Sequence, residues 1–271
     1  MKSAHPATPL DREWKRYSTG ERISRFMVYV AIVAVVVLSI RTVEVIPDFI
    51  RDAPEQIVDL LKRMWPPDVA SYPQEIHAAL LDSLHIATVG TVFGVLMALP
   101  FGLLAARNVT PWPWLNWAAR LVLIATRSIN TLVFALFFVA VFGPGALAGT
   151  LAIAFHSIGF VGRLFSEALE NTNPGPIEAL RAAGAPGASV ISFGYWPQVV
   201  PAFWSLVLFR WDINVRESIV LGLVGAGGVG MVLDNALNLF QWPRVAMVLL
   251  AILGVVIAAE IAVTYIRKRI I

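Results

Sequence analysis

The chain of 271 residues contains no cysteine and few charged residues, which make up only 14% of the sequence. The absence of cysteine excludes disulfide bonds, thiolate metal sites and cysteine nucleophiles. A soluble domain carries about 25% charged residues and roughly 45–50% apolar ones, whereas the hydrophobic class here reaches 58%. The sequence therefore predicts a membrane protein. The net charge of +3 is small, and the basic residues stand at the ends of apolar segments, which indicates membrane topology rather than nucleic-acid binding.

Histidine is also scarce, and its spacing does not suit a metal site. The four histidines are His5, His77, His85 and His156, and none stands at a spacing typical of metal ligands. No Gly-x-Ser-x-Gly nucleophile elbow occurs, and no pair of carboxylates within the apolar segments suggests hydrolysis. We therefore predict no metal ligand and no catalytic residue in this chain.

Six apolar segments are long enough to cross a bilayer, which takes about 20 residues in a helix. They predict an all-α, multi-pass membrane protein with six transmembrane helices. The segments are residues 26–46, 84–106, 114–142, 147–165, 199–220 and 245–266. The third segment contains Arg120 and Arg127, and two central arginines would cost roughly 5–7 kcal/mol on insertion. This segment should therefore face protein or a wet cavity, and its continuity as one helix stays open.

Lysine and arginine predict the orientation, because they concentrate in the cytoplasmic flanks of membrane helices. With six spans, the basic residues of the N-terminus, of the C-terminus and of the loops around Arg107, Arg163 and Arg181 all fall on one side. Both termini are therefore predicted to be cytoplasmic. The chain divides into a cytoplasmic segment (1–25), a first transmembrane helix (26–46), an external loop (47–79) and a core domain (80–271) with a cytoplasmic loop (171–197).

Two features near the first span need separate interpretation. A cleavable signal peptide is the alternative to a membrane anchor, but the apolar run is long and no small-x-small cleavage site follows it before Pro47, which favours the anchor. In the external loop, apolar residues recur at helical spacing between Pro54 and Trp65. This pattern predicts a short helix that lies in the membrane interface.

Residues 225–230 spell Gly-Ala-Gly-Gly-Val-Gly, the letters of a dinucleotide-binding fingerprint. That fingerprint requires a preceding soluble strand and an acidic residue about 20 positions further on, whereas Asp234 follows closely and apolar spans flank the segment. A P-loop is excluded as well, since no Gly-Lys-Ser/Thr follows. We interpret the segment as a re-entrant bend between the fifth and sixth spans, with either path lining or tight packing as its role.

The loop between the fourth and fifth spans carries the most informative pattern. Pro176 fits the first turn of a helix, and Glu178 complements the positive end of the helix dipole. Gly184 and Pro186 end the helix. A compact helical elbow on the cytoplasmic side is suited to dock in a groove on a soluble partner, although a structural loop is equally compatible with the pattern alone.

This loop is similar to the E-A-A-x3-G-x9-I-x-L-P pattern of type I ABC importer permeases. It departs from that pattern at three positions, Leu180, Gly194 and Trp196. The resemblance narrows to phosphonate ABC importers, because five further segments in the same order look like their permease subunits. These segments are residues 64–68, 142–149, 165–170, 220–230 and 240–245.

The resemblance implies a non-catalytic permease subunit in the bacterial cytoplasmic membrane. Its partners would be a second copy of the chain, two ABC ATPase subunits, an external substrate-binding protein and the lipid bilayer. ATP and Mg²⁺ would bind to the ATPase, and this chain would hold no cofactor. The coupling helix that seats on the ATPase would comprise Pro176, Glu178, Ala179, Leu180, Arg181, Gly184, Ala185 and Pro186.

An oxyanion that crosses a low-dielectric membrane needs positive charge and hydrogen-bond donors around it. Polar and glycine residues of the third and fifth spans and of the bend are our candidates for the translocation path. They are Arg127, Ser128, Asn130, Arg210, Asn214, Arg216, Glu217, Gly225, Gly227 and Gly228. The alternative is that the arginines pair with Glu217 or Asp212 and have a structural role.

Other functions compete with phosphonate import. A permease for methionine or another small solute would have the same composition, and only the phosphonate-like segments oppose it. An integral-membrane enzyme that acts on lipid head groups would require an acidic or His-rich metal cluster, which the sequence does not display. A channel without an ATPase would leave the coupling elbow without a function.

Overall fold

The computed structural model describes residues 17–42 and 47–270, and within them it contains α-helices and helical turns but no β-strand. The predicted all-α class is confirmed. The helices are α1 (Thr19–Thr42), α2 (Pro47–Met64), α3 (His77–Ala105), α4 (Pro113–Ser128), α5 (Thr131–Phe142), α6 (Ala146–Glu170), α7 (Pro174–Ala182), α8 (Gly187–Ser189), α9 (Trp196–Gly222), α10 (Val229–Asn238) and α11 (Trp242–Ile270). Two π-helical turns, Tyr72–Ile76 and Val190–Tyr195, lead into α3 and α9. Most of the predicted N-terminal segment and the end of the predicted first span lie outside the described residues.

The chain divides into two compact units, residues 1–58 and 59–271. The first unit contains α1 and most of α2. Helix α1 has 24 residues and is therefore about 36 Å long; it begins before the predicted start at Phe26. Its described side chains from Gly20 to Thr42 are all exposed, so its apolar surface requires lipid or another protein around it.

The amphipathic helix predicted from Pro54 to Trp65 is part of the longer α2, and Pro54 lies inside it. A proline inside a helix removes one backbone hydrogen bond and clashes with the carbonyl of the preceding turn, yet α2 continues past Pro54 to Met64. In the second unit, residues 72–79 are helical and continuous with the second span, although the sequence placed them in a loop. Their polar residues do not interrupt the helix, since Glu75 is exposed and forms an ion pair with Arg244.

Within residues 17–42 and 47–270, four helical stretches are long and apolar enough to cross a membrane. They are α1, the stretch Tyr72–Ala105 (which contains α3), α6 and α11. The third apolar segment is not one straight helix. It consists of α4 and α5, which meet at an angle of 87° and form a fifth candidate span if they are counted as a pair. Helix α9 has 27 residues and is long enough to cross, but it carries several charged residues. The count of six spans therefore stays a prediction.

Helices α3 and α6 form the centre of the second unit, and small residues allow their backbones to approach closely. A Cβ atom at Gly94 would lie 2.6 Å from the Cβ of Ser157, and one at Gly90 would lie 2.8 Å from a methyl group of Ile153. These distances are shorter than van der Waals contact, so the two helices can meet only because side chains are absent there. Helices α4, α5 and α9 pack around this pair and hold the polar residues described next.

Candidate translocation path and coupling elbow

The break between α4 and α5 is held by hydrogen bonds from both sides. Ile129 and Asn130 have extended backbone conformations. The Asn130 side chain caps α5, because its Oδ1 accepts a hydrogen bond of 2.9 Å from the Leu132 N–H. From α6, His156 Nδ1 donates to the Ile129 carbonyl at 3.0 Å. The break is therefore a defined feature that fixes the end of α4 relative to α6.

Three predicted path residues, Arg127, Ser128 and Asn130, lie together at this break and are exposed. Ser128 Oγ donates to the Ile124 carbonyl at 2.8 Å, so its hydroxyl hydrogen is already in use. Arg127 forms neither an ion pair nor a side-chain hydrogen bond with any described residue. The close approach of α6 holds the backbone of Arg127 in place, since a Cβ atom added at Gly159 would lie only 2.6 Å from the Arg127 backbone nitrogen.

Arg210 differs from Arg127, because it is 2% exposed and its charge is balanced within the protein. Its Nε donates to Ser157 Oγ at 3.0 Å, and a terminal nitrogen donates to Glu217 at 3.2 Å. The same Glu217 oxygen accepts a hydrogen bond of 2.9 Å from Thr131 Oγ1. The network therefore connects α9 to α6 and to the first residue of α5.

Asn214 extends this network towards α3. Its amide nitrogen donates to Thr91 Oγ1 at 2.7 Å and to Ser157 Oγ at 3.2 Å. Arg216 instead forms an ion pair with Asp212 one turn earlier on α9. Ion pairing with Glu217 or Asp212, the structural alternative for these arginines, is therefore found for Arg210 and Arg216 but not for Arg127.

The glycine-rich bend packs tightly between the start of α6 and α3. Gly225, Gly227 and Gly228 have φ angles of +85°, +88° and +73°, which favour glycine. A Cβ at Gly227 would lie 2.7 Å from the Ala146 nitrogen, and one at Gly228 would lie 2.3 Å from Ser83 Oγ. Of the two roles that the sequence left open, the contacts of these glycines correspond to tight packing. Helix α10, which follows, has 10 residues and at about 15 Å is too short to cross a bilayer.

A cleft of about 460 Å³ opens between α4 and α6. Its lining residues are Arg120, Leu123, Ile124, Arg127, Arg163 and Glu167. The sequence predicts that the fourth span ends at Phe165, so Arg163 supports the predicted orientation but is not among the predicted site residues. The Arg163-x-x-x-Glu167 spacing was a signal that α6 continues, since residues four apart share one helix face.

The predicted elbow is present as α7 and the turns after it. Asn173 caps α7 by accepting a hydrogen bond of 3.0 Å from the Gly175 N–H. Gly184 ends the elbow with a φ of +76°. Ile177 is buried in an apolar cluster that includes Val190 and Tyr195. The elbow is therefore anchored to the core through one side.

The other side of the elbow is exposed. Among the predicted coupling residues, the exposed ones are Pro176, Glu178, Ala179, Arg181, Gly184 and Pro186, whereas Leu180 and Ala185 pack partly against the apolar cluster. Two departures from the family pattern touch each other here. A Cβ at Gly194 would lie 3.2 Å from a methyl carbon of Leu180, so the larger side chain at 180 occupies space next to the smaller residue at 194.

Comparison with known proteins identifies the class to which this chain belongs. The family described as "Binding-protein-dependent transport system inner membrane component" matches residues 98–271. The chain belongs to this family, and it is an inner-membrane component of a transport system.

Individual relatives specify the resemblance further. The phosphite transport system permease protein PtxC of Stutzerimonas stutzeri is 40% identical over 213 residues, which are 79% of this chain and 77% of that protein. The phosphate-import permease protein PhnE of Mycolicibacterium smegmatis is 38% identical over 232 residues, which are 86% of this chain but 43% of that protein. These relatives confirm the resemblance to phosphonate-type ABC importer permeases.

Among solved structures, the inward-facing methionine ABC transporter MetNI in its native crystal form matches with a TM-score of 0.63 and 22% identity. The match covers 72% of this chain and 96% of that chain. At this identity the likeness shows the fold alone, and it confirms the permease architecture.

Proposed function

We propose that this chain is the transmembrane subunit of an ATP-driven importer that carries phosphonate, or a related phosphorus oxyanion such as phosphite or phosphate, across the cytoplasmic membrane. The observation that carries the proposal is the 40% identity to a phosphite permease over 79% of this chain. The likeness to the methionine transporter, at 22% identity, extends to the fold and supplies no argument about the substrate.

The working assembly in this proposal contains two copies of the chain, two ATPase subunits and an external substrate-binding protein. Both termini are cytoplasmic, and ATP and Mg²⁺ are bound by the ATPase subunits. Support comes from the elbow, which is exposed on one side and buried on the other, as a docking element must be. Glu178 and Arg181 are both exposed and form no ion pair with any described residue, so their charges are available to a partner.

Movement of the ATPase would reach the membrane helices through the buried side of the elbow. Ile177 contacts the apolar cluster together with Tyr195, whose hydroxyl donates to the Asn108 carbonyl at 3.0 Å. This hydrogen bond joins the segment before α9 to the segment between α3 and α4. The elbow can therefore move several membrane helices together as one body.

Arg127, Ser128 and Asn130 are the residues that we place on the translocation path. An unpaired arginine within an apolar segment is costly unless it faces water or an anion, and Arg127 has no partner among the described residues. The amino end of α5 adds a positive dipole at the same place. Arg210 and Glu217 contribute by bracing the break through Thr131. Asn214 contributes by joining α9 to α3 and α6, and Arg216 by its ion pair along α9. Gly225, Gly227 and Gly228 contribute by close packing.

ATPase stimulation of the reconstituted complex tests the substrate class. The external binding protein would be loaded in turn with a phosphonate, phosphite, phosphate and methionine, and ATP hydrolysis would be measured in proteoliposomes. We expect stimulation by at least one phosphorus oxyanion and none by methionine. No response to any phosphorus oxyanion would contradict the proposed substrate class.

Co-purification of the ATPase tests the coupling role of the elbow. We expect Glu178→Arg to reduce the amount of ATPase that remains bound, because it reverses an exposed charge on the docking face. Glu55→Arg on α2 is a matched control, since Glu55 is also exposed but lies outside the elbow. Equal retention of the ATPase by both variants would contradict the docking role.

A further inference from the structure

The cleft between α4 and α6 brings Arg127, a path candidate, together with charged residues that are not path candidates, namely Arg120, Arg163 and Glu167. Arg120 and Arg127 are seven positions apart on α4, and Arg163 and Glu167 are four apart on α6, so each pair lies on one face of its helix. The two helices cross closely beside the cleft, since a Cβ at Gly159 would lie 2.5 Å from the Leu123 carbonyl oxygen. The cleft walls are therefore held in a fixed position.

Arg120 is already committed to contacts within the protein. Its Nε donates to the Ala105 carbonyl at 2.9 Å, and a terminal nitrogen contacts Glu170 at 2.5 Å. The same Glu170 oxygen accepts a hydrogen bond of 2.9 Å from the Arg107 backbone N–H. Arg120 and Glu170 thus form a neutral pair, of which Arg120 lines the cleft.

The guanidinium groups of Arg163 and Arg127 have hydrogen-bond donors that are not used by any described residue. Arg163 contacts Glu167 through Nε alone, at 2.6 Å, and its two terminal nitrogens have no partner among the described residues. The guanidinium group of Arg127 donates no hydrogen bond to any described residue. Among the described residues that line the cleft, Glu167 alone opposes these two positive charges, so this lining has a positive charge that is not balanced.

We infer that Arg127 and Arg163 form a binding site for a free phosphorus oxyanion in this cleft. The inference rests on the proposed function and extends it, because Arg163 and Glu167 were not among the path candidates. A guanidinium presents paired N–H donors that match two oxygens of a tetrahedral anion. With a volume of about 460 Å³ the cleft has room for such an anion and several water molecules.

Glu167 weakens the binding of an anion at this site. Its carboxylate holds Arg163 through Nε and repels an entering anion, which weakens binding. A transport site must bind its ion weakly enough to release it, so a competing carboxylate suits a release site. Under the predicted orientation, Arg163 and Glu167 stand in the cytoplasmic end of α6, directly before the elbow, where an imported anion would leave.

A structural ion pair is the alternative explanation for Arg163 and Glu167. Their side chains are 37% and 41% exposed, and exposed pairs four residues apart stabilise a helix little. The two explanations predict different changes in phosphate affinity when Arg163 or Glu167 is replaced. A purely structural pair is lost equally when either partner is replaced, whereas an anion site responds in opposite directions to the loss of its arginine and of its carboxylate.

Isothermal titration of inorganic phosphate into the ATP-free transporter complex, in nanodiscs of phosphatidylcholine, distinguishes them. We expect Arg163→Gln to raise the Kd about tenfold, as loss of a charge-assisted contact does, and Glu167→Gln to lower it. Arg163→Lys should recover part of the affinity, and Lys62→Gln on α2 should change nothing. Equal shifts for Arg163→Gln and Glu167→Gln, or no shift for either, would overturn the inference.

Two further measurements separate this inference from its alternatives. If phosphatidylglycerol in the nanodiscs abolishes phosphate binding in an Arg163-dependent way, the ligand is a lipid phosphodiester and the free-anion site is refuted. ATPase stimulation of the wild-type complex is measured in parallel. If a phosphorus oxyanion stimulates ATP hydrolysis but Arg163→Gln leaves the Kd for phosphate unchanged, the inference alone is refuted. If no phosphorus oxyanion stimulates ATP hydrolysis, the proposed function is refuted.

Discussion

Glu217 neutralises a guanidinium that water scarcely reaches, and its removal is the perturbation with the largest expected effect. Arg210 is 2% exposed and lies 3.2 Å from the Glu217 carboxylate. Glu217→Ala would leave this buried charge unpaired and would also free the hydroxyl of Thr131. Removing one partner of a buried ion pair costs about 3–5 kcal/mol. Because the Glu217 side chain is itself 28% exposed, water can enter in its place, and we expect a loss of about 3 kcal/mol.

The melting temperature of the purified protein in detergent, followed by tryptophan fluorescence, measures this loss. A change of 1 kcal/mol shifts the Tm by about 2–4 °C in chains of this size, so Glu217→Ala should lower it by roughly 6–12 °C. The double variant Arg210→Met/Glu217→Ala should recover most of the Tm, because the unpaired charge is gone. Asp212→Asn, which breaks the more exposed pair with Arg216, is the matched control and should shift the Tm by less than about 2 °C.

The comparison of single and double variants decides the role of Arg210. If the double variant melts as low as Glu217→Ala, the two residues are not energetically coupled and the reasoning is wrong. If it regains its Tm and also transports at the wild-type rate, Arg210 is structural and does not belong to the translocation path. A regained Tm with lost transport would instead show that transport requires Arg210 or Glu217 beyond their effect on stability.

Two further predictions concern backbone packing and the elbow. Gly227→Ala should cost about 2–4 kcal/mol and lower the Tm, because it combines a left-handed φ with a clash against Ala146. Gly254→Ala is the control: apart from the backbone of its own helix and its two chain neighbours, no atom lies within 4 Å of the added Cβ, so the Tm should stay unchanged or rise. Gly194→Ile should be destabilising by about 1–3 kcal/mol through overpacking against Leu180. The double variant Leu180→Ala/Gly194→Ile should recover about 1 kcal/mol or more of that loss, and additive effects would contradict the contact.

Local patterns in the sequence predicted much of the fold. The apolar segments correspond to α1, α3, α6, α9 and α11, because about 20 apolar residues in a row have few stable alternatives to a membrane helix. The elbow was also predictable from local signals. Pro176 stands in its first turn, and Gly184 follows its end with a left-handed φ. Helix starts and stops depend on neighbouring residues, which the sequence displays directly.

The break in the third segment was less predictable. Its polar residues indicated that the segment was unusual, but the angle of 87° depends on contacts with another helix. The hydrogen bond between His156 and Ile129 joins positions 27 residues apart. Thr131 and Glu217 are 86 residues apart. Because neither separation leaves a local pattern, the sequence could name the polar residues but not their partners.

The arginines of the apolar segments differ in whether other side chains of the protein neutralise their charge. In the sequence, Arg127, Arg210 and Arg216 were equivalent candidates for an anion path. The structure separates them by the donors that remain available: Arg210 is held by Ser157 and Glu217, and Arg216 by its neighbour on α9. A charge in an apolar segment needs a partner, and Arg127 finds none among the described residues. An arriving anion is the partner that such an arginine can accept and release, and for this reason the unpaired arginine is the one that we assign to transport.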